Sequence, residues 1–282
     1  MKDGTVAGAA LIAAGVLFLF VQVRAEGPPR CPSGMVALGT RCCGEGAHLD
    51  GDRCVDAKRC SEGLALVDGH CVAPRRKVTI PAGTSAWKPP DDTVGPGEYA
   101  VTGTFRIDAY EVHYSAYASC TQAGACAPLA RVGDPGQAVS NVTLGEARAF
   151  CRFAGGRLPR DAEWLRTALG DVETRYPWGD PDALCLRASY GLVRGRCAKG
   201  ATAPDTAGAR PWGQTKLGVH DLAGNVAEWV EDGAPPNHGE VRGGSFEDDD
   251  ATALRARWRK VLPEGTRHAW VGFRCAYDGP GP

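Results

Sequence analysis

The residues best suited to chemistry lie in segment 218–232, which reads Gly-Val-His-Asp-Leu-Ala-Gly-Asn-Val-Ala-Glu-Trp-Val-Glu-Asp. Asp221 and Glu228 bring two carboxylates to a Gly224-Asn225 turn, and the segment has neither a helical nor a strand period. Calcium and other hard cations favour such loops, in which carboxylates and backbone carbonyls supply oxygen ligands. An ordinary turn with solvated acids explains the same residues, so the loop alone leaves both interpretations open.

Other patterns of catalysis and of nucleic-acid binding are missing from the sequence. There is no Gly-x-Ser-x-Gly segment, and the histidines show no His-Glu-x-x-His or i,i+4 spacing. The formal net charge is −1 and no basic stripe is interleaved with aromatics, so nucleic acid is not expected as a partner. The 38 glycines and 20 prolines indicate a loop-rich chain, while 43% hydrophobic residues are enough for a core.

An uncharged apolar run at residues 6–23 predicts a secretory signal or a signal anchor. Val23-Arg24-Ala25 ends the run like a cleavage site, whereas the length of the run is about the minimum for a membrane span. We expect an exported protein, periplasmic, at the cell surface or secreted, and leave open whether residues 6–23 are cleaved or act as a membrane tether. The 12 cysteines agree with export, since disulfides persist in oxidising compartments.

Residues 31–71 contain three similar cysteine units. Residues 31–42 and 43–54 both read C-x-x-G-x-x-x-x-G-x-x-C, and residues 60–71 keep the cysteine spacing. A unit this small cannot bury a core, so a local cross-link is expected to stabilise each one as a glycine-turned hairpin. The predicted pairs are Cys31–Cys42, Cys43–Cys54 and Cys60–Cys71. A zinc module is the rival interpretation, but it lacks the paired C-x-x-C spacing.

The rest of the chain predicts a domain of short helices and strands. A strand is expected at 78–81, and a short helix from about Ser115 to Cys120. Thr143 and Glu146 form a capping box before a helix that ends at Gly155-Gly156, and a further helix starts at Pro159 and stops at Gly170. The predicted organisation is an export segment (1–25), a cysteine-rich triple repeat (26–77), a main domain (78–276) and a tail (277–282).

Five short motifs follow one another in the main domain. In chain order they are Gly155-Gly156-Arg157-Leu158-Pro159-Arg160-Asp161-Ala162-Glu163-Trp164, Tyr176-Pro177-Trp178-Gly179-Asp180, the 218–232 loop, Arg242-Gly243-Gly244-Ser245-Phe246 and Gly272-Phe273-Arg274-Cys275-Ala276. In this order and spacing they resemble the formylglycine-generating enzyme family, also called the sulfatase-modifying factor family, over about residues 78–276. The resemblance implies an irregular, loop-rich α+β fold related to C-type lectin-like domains.

The resemblance also bears on the remaining cysteines. Cys151 occupies the family's helix position whose cysteine bridges to the one in Gly-Phe-Arg-Cys, which implies a bridge between Cys151 and Cys275. A bridge over so long a loop removes much of the entropy of the unfolded chain. Cys120 and Cys126 flank Gly124 and are expected to form a local disulfide. Cys185 and Cys197 are then the last pair, so no free thiol is expected.

In enzymes of this family, the loop resembling Asp221 to Glu228 binds a structural calcium ion. Carried over, the ligands are the side chains of Asp221 and Glu228 and the carbonyl oxygens of Gly224 and Val226. With the resemblance, calcium is favoured over an empty turn. A second family site normally follows an Ala-Asn pair; Ala188-Ser189 stands there in this chain, which leaves its occupancy open.

The catalytic centre is where this chain departs from the family. Active members oxidise a sulfatase cysteine to formylglycine, using oxygen and a copper(I) ion held by two cysteines between the R-G-G-S and G-F-R-C segments. Residues 246–271 contain no cysteine, and copper(I) prefers thiolate, so copper is not expected. Trp270 stands at or near the place of an active-site asparagine. The candidate residues of the vacated cleft are Glu247, Asp248, Asp249, Asp250, Arg255, Trp258 and Trp270.

These observations favour a non-catalytic binding or scaffold module of the cell envelope, whose ligand is a peptide, a protein or a glycan. Residues 247–250 are then either a solvated acidic loop or a cleft lining that receives a basic peptide or a cation. The alternative is a formylglycine-generating oxidase with a divergent site, which needs a reactive thiol pair such as Cys120 and Cys126. A third alternative, iron-dependent sulfur oxidation, needs a histidine-rich metal site that this sequence does not display.

Overall fold

A computed structural model describes residues 31, 35–38, 41–44, 48–50, 53–55, 60–87, 97–101, 103–171 and 174–279. The chain divides into two units, Met1–Ala57 and Lys58–Pro282. Within the described ranges, no helix is long and apolar enough to cross a membrane. The predicted export segment at residues 6–23 lies outside the described residues.

The described part of the first unit consists of two antiparallel hairpins. One pairs β1 (Met35–Leu38) with β2 (Arg41–Gly44), and the other pairs β3 (His48–Asp50) with β4 (Arg53–Val55). The cysteine spacing predicted both hairpins, because each places its closing cysteine on the second strand.

The cysteines of this unit agree with that spacing. Cys31 and Cys42 form the predicted disulfide. Cys43 is also disulfide-bonded, and the side chain of its predicted partner, Cys54, lies outside the described residues.

The third cysteine unit folds as a hairpin of β5 (Ala65–Val67) and β6 (His70–Val72), closed by the predicted Cys60–Cys71 disulfide. It belongs to the larger unit, Lys58–Pro282, whereas the sequence placed the domain boundary after residue 77. Leu64 beside this hairpin packs against a core cluster of the larger unit.

The hairpin is seated closely on the larger unit. Ser61 Oγ donates a hydrogen bond to the Ala209 carbonyl over 3.2 Å. A Cβ atom on Gly136 would lie 1.8 Å from the Cys71 carbonyl oxygen, so the approach requires a glycine at this position. The first two cysteine units form a separate body, and the third is part of the main domain.

The strands of the main domain form two sheets and a separate hairpin. The strands are β7 (Lys77–Ile80), β8 (Gly83–Trp87), β9 (Gly97–Val101), β10 (Phe105–Asp108), β11 (Ala227–Val230), β12 (His238–Arg242), β13 (Arg259–Pro263), β14 (Val271–Gly272) and β15 (Ala276–Asp278). The three-stranded sheet has the order β15-β10-β7, the four-stranded sheet has the order β13-β12-β11-β14, and β8 pairs with β9. Only the β11–β14 pair of the larger sheet is parallel.

The described α-helices are α1 (Tyr114–Gln122), α2 (Leu144–Phe153) and α3 (Asp161–Leu169). The predicted capping box at the start of α2 is present, with Thr143 and Glu146 bonding each other's backbone N–H. Gly170 ends α3 with φ of 66°, a left-handed value that glycine adopts without strain. Short 3₁₀ helices occupy Pro211–Gly213 and Ala251–Leu254.

Two large tryptophans fill the core of the main domain. Trp164 on α3 and Trp229 on β11 are fully buried. The Cys151–Cys275 disulfide joins α2 to the segment before β15 across 124 residues. Closing a loop of that length stabilises the fold by about 5 kcal/mol in the chain-entropy account. The fold is therefore the expected irregular α+β arrangement, with few helices and mixed sheets.

Candidate functional site

The 218–232 loop supplies two members of a group of buried charges. We call this group the buried acid cluster, and it consists of Glu111, Asp221, Glu228 and Arg274. All four side chains are buried, and Glu228 and Arg274 are fully so. Glu228 points from β11, and Arg274 follows β14, the parallel neighbour of β11. Arg274 Nε donates to Glu228 Oε2 over 2.7 Å, and Nη2 donates to Oε1 over 2.6 Å.

The other hydrogen bonds of this pair are also satisfied. Arg274 Nη1 donates to the Asp108 carbonyl, and Nη2 donates to the His220 carbonyl as well. Trp164 Nε1 adds a third donor to the Glu228 carboxylate, 2.8 Å from Oε2. A charge pair removed from water needs this degree of hydrogen bonding to persist, so the Glu228–Arg274 pair is a structural element of the core.

The Gly224-Asn225 turn is held by Glu111 rather than exposed to solvent. Asn225 Nδ2 donates to Glu111 Oε2 over 2.5 Å, and the Val226 N–H donates to Oε1 over 3.1 Å. Asn225 Oδ1 accepts from the Asp205 N–H at 2.8 Å. Gly224 has φ of 91° and Asn225 has φ of 60°, so the turn uses the two residue types that best tolerate left-handed backbone.

Burial shifts the protonation of two carboxylates in the cluster, Glu111 and Asp221. Burial, and then the negative charges of Asp221 and Glu228, raise the pKa of Glu111 well above its usual range. Burial is also the main cause that raises the pKa of Asp221 from 3.8 to about 6. The cluster therefore holds protons that the same acids lose in water.

The predicted calcium ligands do not fit that ion as a set. Both Glu228 oxygens already accept bonds from Arg274 and Trp164, and a cation at Glu228 would stand beside a fully buried guanidinium. Asp221 Oδ2 accepts from the Gly208 N–H over 2.5 Å. No group of three or more His, Cys, Asp or Glu side chains placed to hold a metal occurs among the described residues. The family resemblance predicts calcium at this loop, whereas these contacts favour a loop without the ion.

At Ser189, where a second calcium site was considered, the hydroxyl contacts that the structure describes are with other side chains of the protein. Ser189 Oγ donates to Asp205 Oδ2 over 2.9 Å, and Lys199 Nζ lies 2.5 Å from Asp205 Oδ1. Arg210 Nη2 is a further 3.0 Å contact of the same carboxylate. Two basic side chains thus balance the charge of Asp205.

Two of the four acidic side chains at residues 247–250 accept hydrogen bonds from nearby residues. Asp248 Oδ2 accepts from the N–H and the hydroxyl of Ser245, and Asp250 caps the 3₁₀ helix by accepting from the Thr252 N–H. Asp249 lies against Gly195, where a Cβ atom would come 2.7 Å from Asp249 Oδ1. Burial and the charge of Asp248 raise the pKa of Glu247.

The other predicted cleft residues are two tryptophans at the edge of a core cluster and one exposed arginine. Trp258 and Trp270 pack against the core cluster, and Arg255 is exposed after the 3₁₀ helix. The Trp270 ring stacks on the His268 ring, with centroids 4.8 Å apart, and Lys260 Nζ lies 4.9 Å from the Trp270 centroid.

A polar cavity of about 290 Å³ lies next to this aromatic stack. Ala269 forms part of its wall, and Asn141, another wall residue, donates its N–H to the His268 carbonyl. The polar and charged side chains that line it are Tyr114, Arg131, Asp134, Gln137, Ser140, Asn141 and Thr202. Hydroxyl, amide, carboxylate and guanidinium groups together suit a polar ligand.

With this geometry in place, comparison with known proteins identifies the family. A family model for the sulfatase-modifying factor enzyme 1-like domain matches residues 65–279. The chain belongs to this family. The matched range begins within the third cysteine hairpin, in agreement with the packing of that hairpin on the main domain.

Curated relatives in the sulfatase-modifying factor family have different activities. The formylglycine-generating enzyme of Streptomyces coelicolor is 32% identical over 170 residues, 52% of this chain and 54% of that protein. The hercynine oxygenase of Mycolicibacterium thermoresistibile is 34% identical over 171 residues, 51% and 36% of the two chains. The inactive Cα-formylglycine-generating enzyme 2 of Bos taurus is 33% identical over 151 residues, 49% of each chain. This chain spans about half of these relatives or less.

Solved structures support the same fold. Treponema denticola variable protein 1 has a TM-score of 0.58 at 19% identity, covering 71% of this chain and 94% of that one. PvdO from Pseudomonas aeruginosa has a TM-score of 0.58 at 21% identity, with 72% and 94% covered. The family fold, related to C-type lectin-like domains, is thus confirmed. Both oxidoreductases and inactive members occur in the family, so membership alone does not decide activity.

Sequence reasoning missed two contributors to the site. Glu111 and Asp205 were not candidates, because their partners lie 114 and 20 residues away along the chain. One signal was available: the arginine of Gly-Phe-Arg-Cys lies in a buried segment, and a buried arginine requires carboxylate and carbonyl acceptors.

Proposed function

We propose that this protein is an exported, non-catalytic member of the sulfatase-modifying factor family that acts as a binding or scaffold module in the cell envelope. One observation carries the proposal: residues 246–271, where the family's copper ligands lie, contain no cysteine. Copper(I) is soft and prefers thiolate, so the carboxylates and alanines there are poor replacements.

The local structure gives those substituted residues other roles. Asp248 secures the Ser245 turn and Asp250 caps a 3₁₀ helix. These hydrogen bonds give both carboxylates a structural role in the loop. The acidic side chains therefore stabilise a loop, and this role is compatible with a binding module that carries out no catalysis.

The cysteines elsewhere in the described chain support the same proposal. Cys120–Cys126, Cys151–Cys275 and Cys185–Cys197 are formed disulfides, and none of the described cysteines is a free thiol. A disulfide cannot act as a thiolate ligand. A high disulfide content also supports an oxidising compartment, as the export proposal requires.

The polar cavity beside Ala269 is the binding site we favour for this role. Arg131 is exposed at the cavity, and Tyr114 and Asn141 line it. It adjoins the stack of His268 on Trp270, and polar walls next to an aromatic face suit a peptide or a glycan of the envelope.

The first test combines chemistry and binding on the folded, disulfide-intact protein. A sulfatase peptide with its cysteine is incubated with the protein, copper and oxygen, and formylglycine is sought by mass spectrometry. We expect no formylglycine and no free thiol. Turnover of the peptide would overturn the non-catalytic assignment.

The second arm screens envelope peptides and glycans for binding. Arg131→Ala should weaken any ligand that uses the cavity, while Arg152→Ala, a change of an exposed arginine on α2, should leave binding unchanged. A ligand that responds equally to both variants would place binding outside this cavity.

The competing function is a formylglycine-generating oxidase with a divergent site, which the similarity to the Streptomyces coelicolor enzyme favours. It requires a thiol pair, and Cys120–Cys126 is the candidate pair. Cys120 is fully buried and its disulfide closes the end of α1. Two reactive thiols with stoichiometric copper in the isolated protein would favour the oxidase.

A further inference from the structure

A second cavity, of about 250 Å³, opens beside α3. Apolar groups of Ile80, Leu169, Trp178 and Leu217 form much of its wall. At roughly 30 Å³ for each water, the space holds about eight water molecules, or one small organic group.

Arg166 on α3 brings a charge to this cavity. Its side chain is 3% exposed, yet Nη1 has no hydrogen-bond partner. Nε reaches only the Pro81 carbonyl, at 3.4 Å. The guanidinium also abuts Gly83, where a Cβ atom would lie 2.4 Å from Nη2. A buried donor without an acceptor is costly, and such a group calls for an explanation.

The nearest acid does not supply that acceptor. Asp171 Oδ1 forms an ion pair with Arg166 Nη1 over 2.6 Å, although Nη1 makes no hydrogen bond. The Asp171 side chain is 81% exposed, so water competes for it and the pair is weak. A ligand carboxylate that displaces the exposed Asp171 side chain can therefore take its place at Nη1.

Another buried arginine shows why the cavity matters. Arg242 also has guanidinium nitrogens without hydrogen bonds, but it lies between the carboxylates of Asp161 and Glu240, whose Oε1 is 3.0 Å from Nη2. Two acids enclose that charge. Arg166 instead borders open space and has one solvent-facing acid.

We propose that the cavity beside α3 binds a small apolar monocarboxylate, whose carboxylate pairs with Arg166. The charged side chains of its described lining are Arg166, Lys216 and Asp171, which give a net charge of +1. One carboxylate balances that charge, whereas a phosphate dianion exceeds it. Arginine binds a carboxylate through parallel N–H donors, and the wall around Trp178 and Leu217 accepts the apolar part of the ligand.

This site is independent of the proposed envelope function and of the polar cavity beside Ala269. It requires neither a metal nor a free thiol, so its test does not depend on the outcome of the oxidase assay.

The test measures binding of 4-methylpentanoate to the intact protein by NMR titration, with 4-methylpentanamide as a neutral ligand of the same shape. We expect the carboxylate to bind at least about tenfold more tightly than the amide, because only the carboxylate pairs with Arg166. Equal affinities, or no binding of the acid up to about 10 mM, would overturn the proposal.

Variants at the exposed rim avoid damage to the core. Asp171→Asn removes the acid that competes for Nη1 and should tighten binding of 4-methylpentanoate by about two- to fivefold, while Lys216→Ala should weaken it by a similar factor. Asp182→Asn, a change of an exposed acid outside the cavity, is the matched control and should change nothing. Weaker binding in Asp171→Asn would contradict the proposed pairing.

Discussion

Two buried arginines near α3 show opposite ways of burying a charge. Arg274 shares its partner Glu228 with Trp164 and donates from all three nitrogens to a carboxylate and two carbonyls. Arg166, two residues after Trp164, is almost equally buried but keeps an Nη1 without a hydrogen bond. The first arrangement stabilises the fold, and the second leaves binding capacity for a ligand.

The largest expected effect comes from removing the satisfied arginine. Arg274→Met leaves Glu228 and its neighbouring acids buried without a cation, so the free energy of unfolding should fall by about 3–5 kcal/mol. Urea unfolding with the disulfides intact measures this loss. Arg166→Met, which removes one long hydrogen bond and one exposed ion pair, should cost less than about 2 kcal/mol. If both variants lose the same free energy of unfolding, the two arginines contribute equally to stability and the proposed difference between them is wrong.

The pH dependence of stability tests the buried acid cluster next. The pKa of Asp221 is raised from 3.8 to about 6, so the folded state binds a proton that the unfolded chain releases. The resulting stability is fully present below pH 3.8 and is lost as pH rises to about 6, by about 3 kcal/mol as an upper estimate.

Asp221→Asn should flatten this part of the stability profile. Asparagine keeps an oxygen for the Gly208 N–H and tolerates the left-handed φ of 58° at this position. Denaturant midpoints between pH 4 and pH 7 are the measurement, with wild type as the reference. A variant whose profile falls as steeply as that of wild type would assign the titration to another group.

A smaller effect is expected at the unsatisfied arginine. Asp171→Asn removes an ion pair whose acid is 81% exposed, so the free energy of unfolding should change by less than about 0.5 kcal/mol. Thermal unfolding without ligand provides the value. A loss above about 2 kcal/mol would make the Arg166–Asp171 contact structural and weaken the case for a ligand there.

The smallest effect concerns calcium. Because Arg274 already supplies the positive charge beside Glu228, we expect EGTA to leave the melting temperature unchanged and metal analysis to find no stoichiometric calcium. Stabilisation by added calcium, increasing with its concentration as mass action requires, would restore the ligand set of Asp221, Glu228 and the loop carbonyls. Asp221→Asn would then abolish that stabilisation.

The sequence was most informative where one local rule decides the structure. The capping box at Thr143, the stop at Gly170 and the hairpin disulfide Cys60–Cys71 depend on residues close together along the chain, and all three were predicted correctly. The bridge from Cys151 to Cys275 spans 124 residues; its prediction came from family resemblance.

The interior of the site could not be predicted in the same way. Asn225 bonds Glu111 across 114 residues, and no periodic pattern in the sequence reports such a contact. The third hairpin shares its cysteine spacing with two units outside the main domain, yet Leu64 and Gly136 give it a tertiary partner. The charge of Arg274 was visible in its motif, but its use as the cation of a buried cluster depends on three-dimensional packing.

The Cys151–Cys275 bridge also sets an order of events during synthesis. Cys120–Cys126 and Cys185–Cys197 can close soon after each stretch enters an oxidising compartment, because their members are 6 and 12 residues apart. Cys151 must remain a thiol until another 124 residues have been made. The chain therefore cannot complete its oxidation before Cys275 has emerged, and an interrupted or truncated product retains an odd, reactive cysteine that marks it for mispairing or quality control.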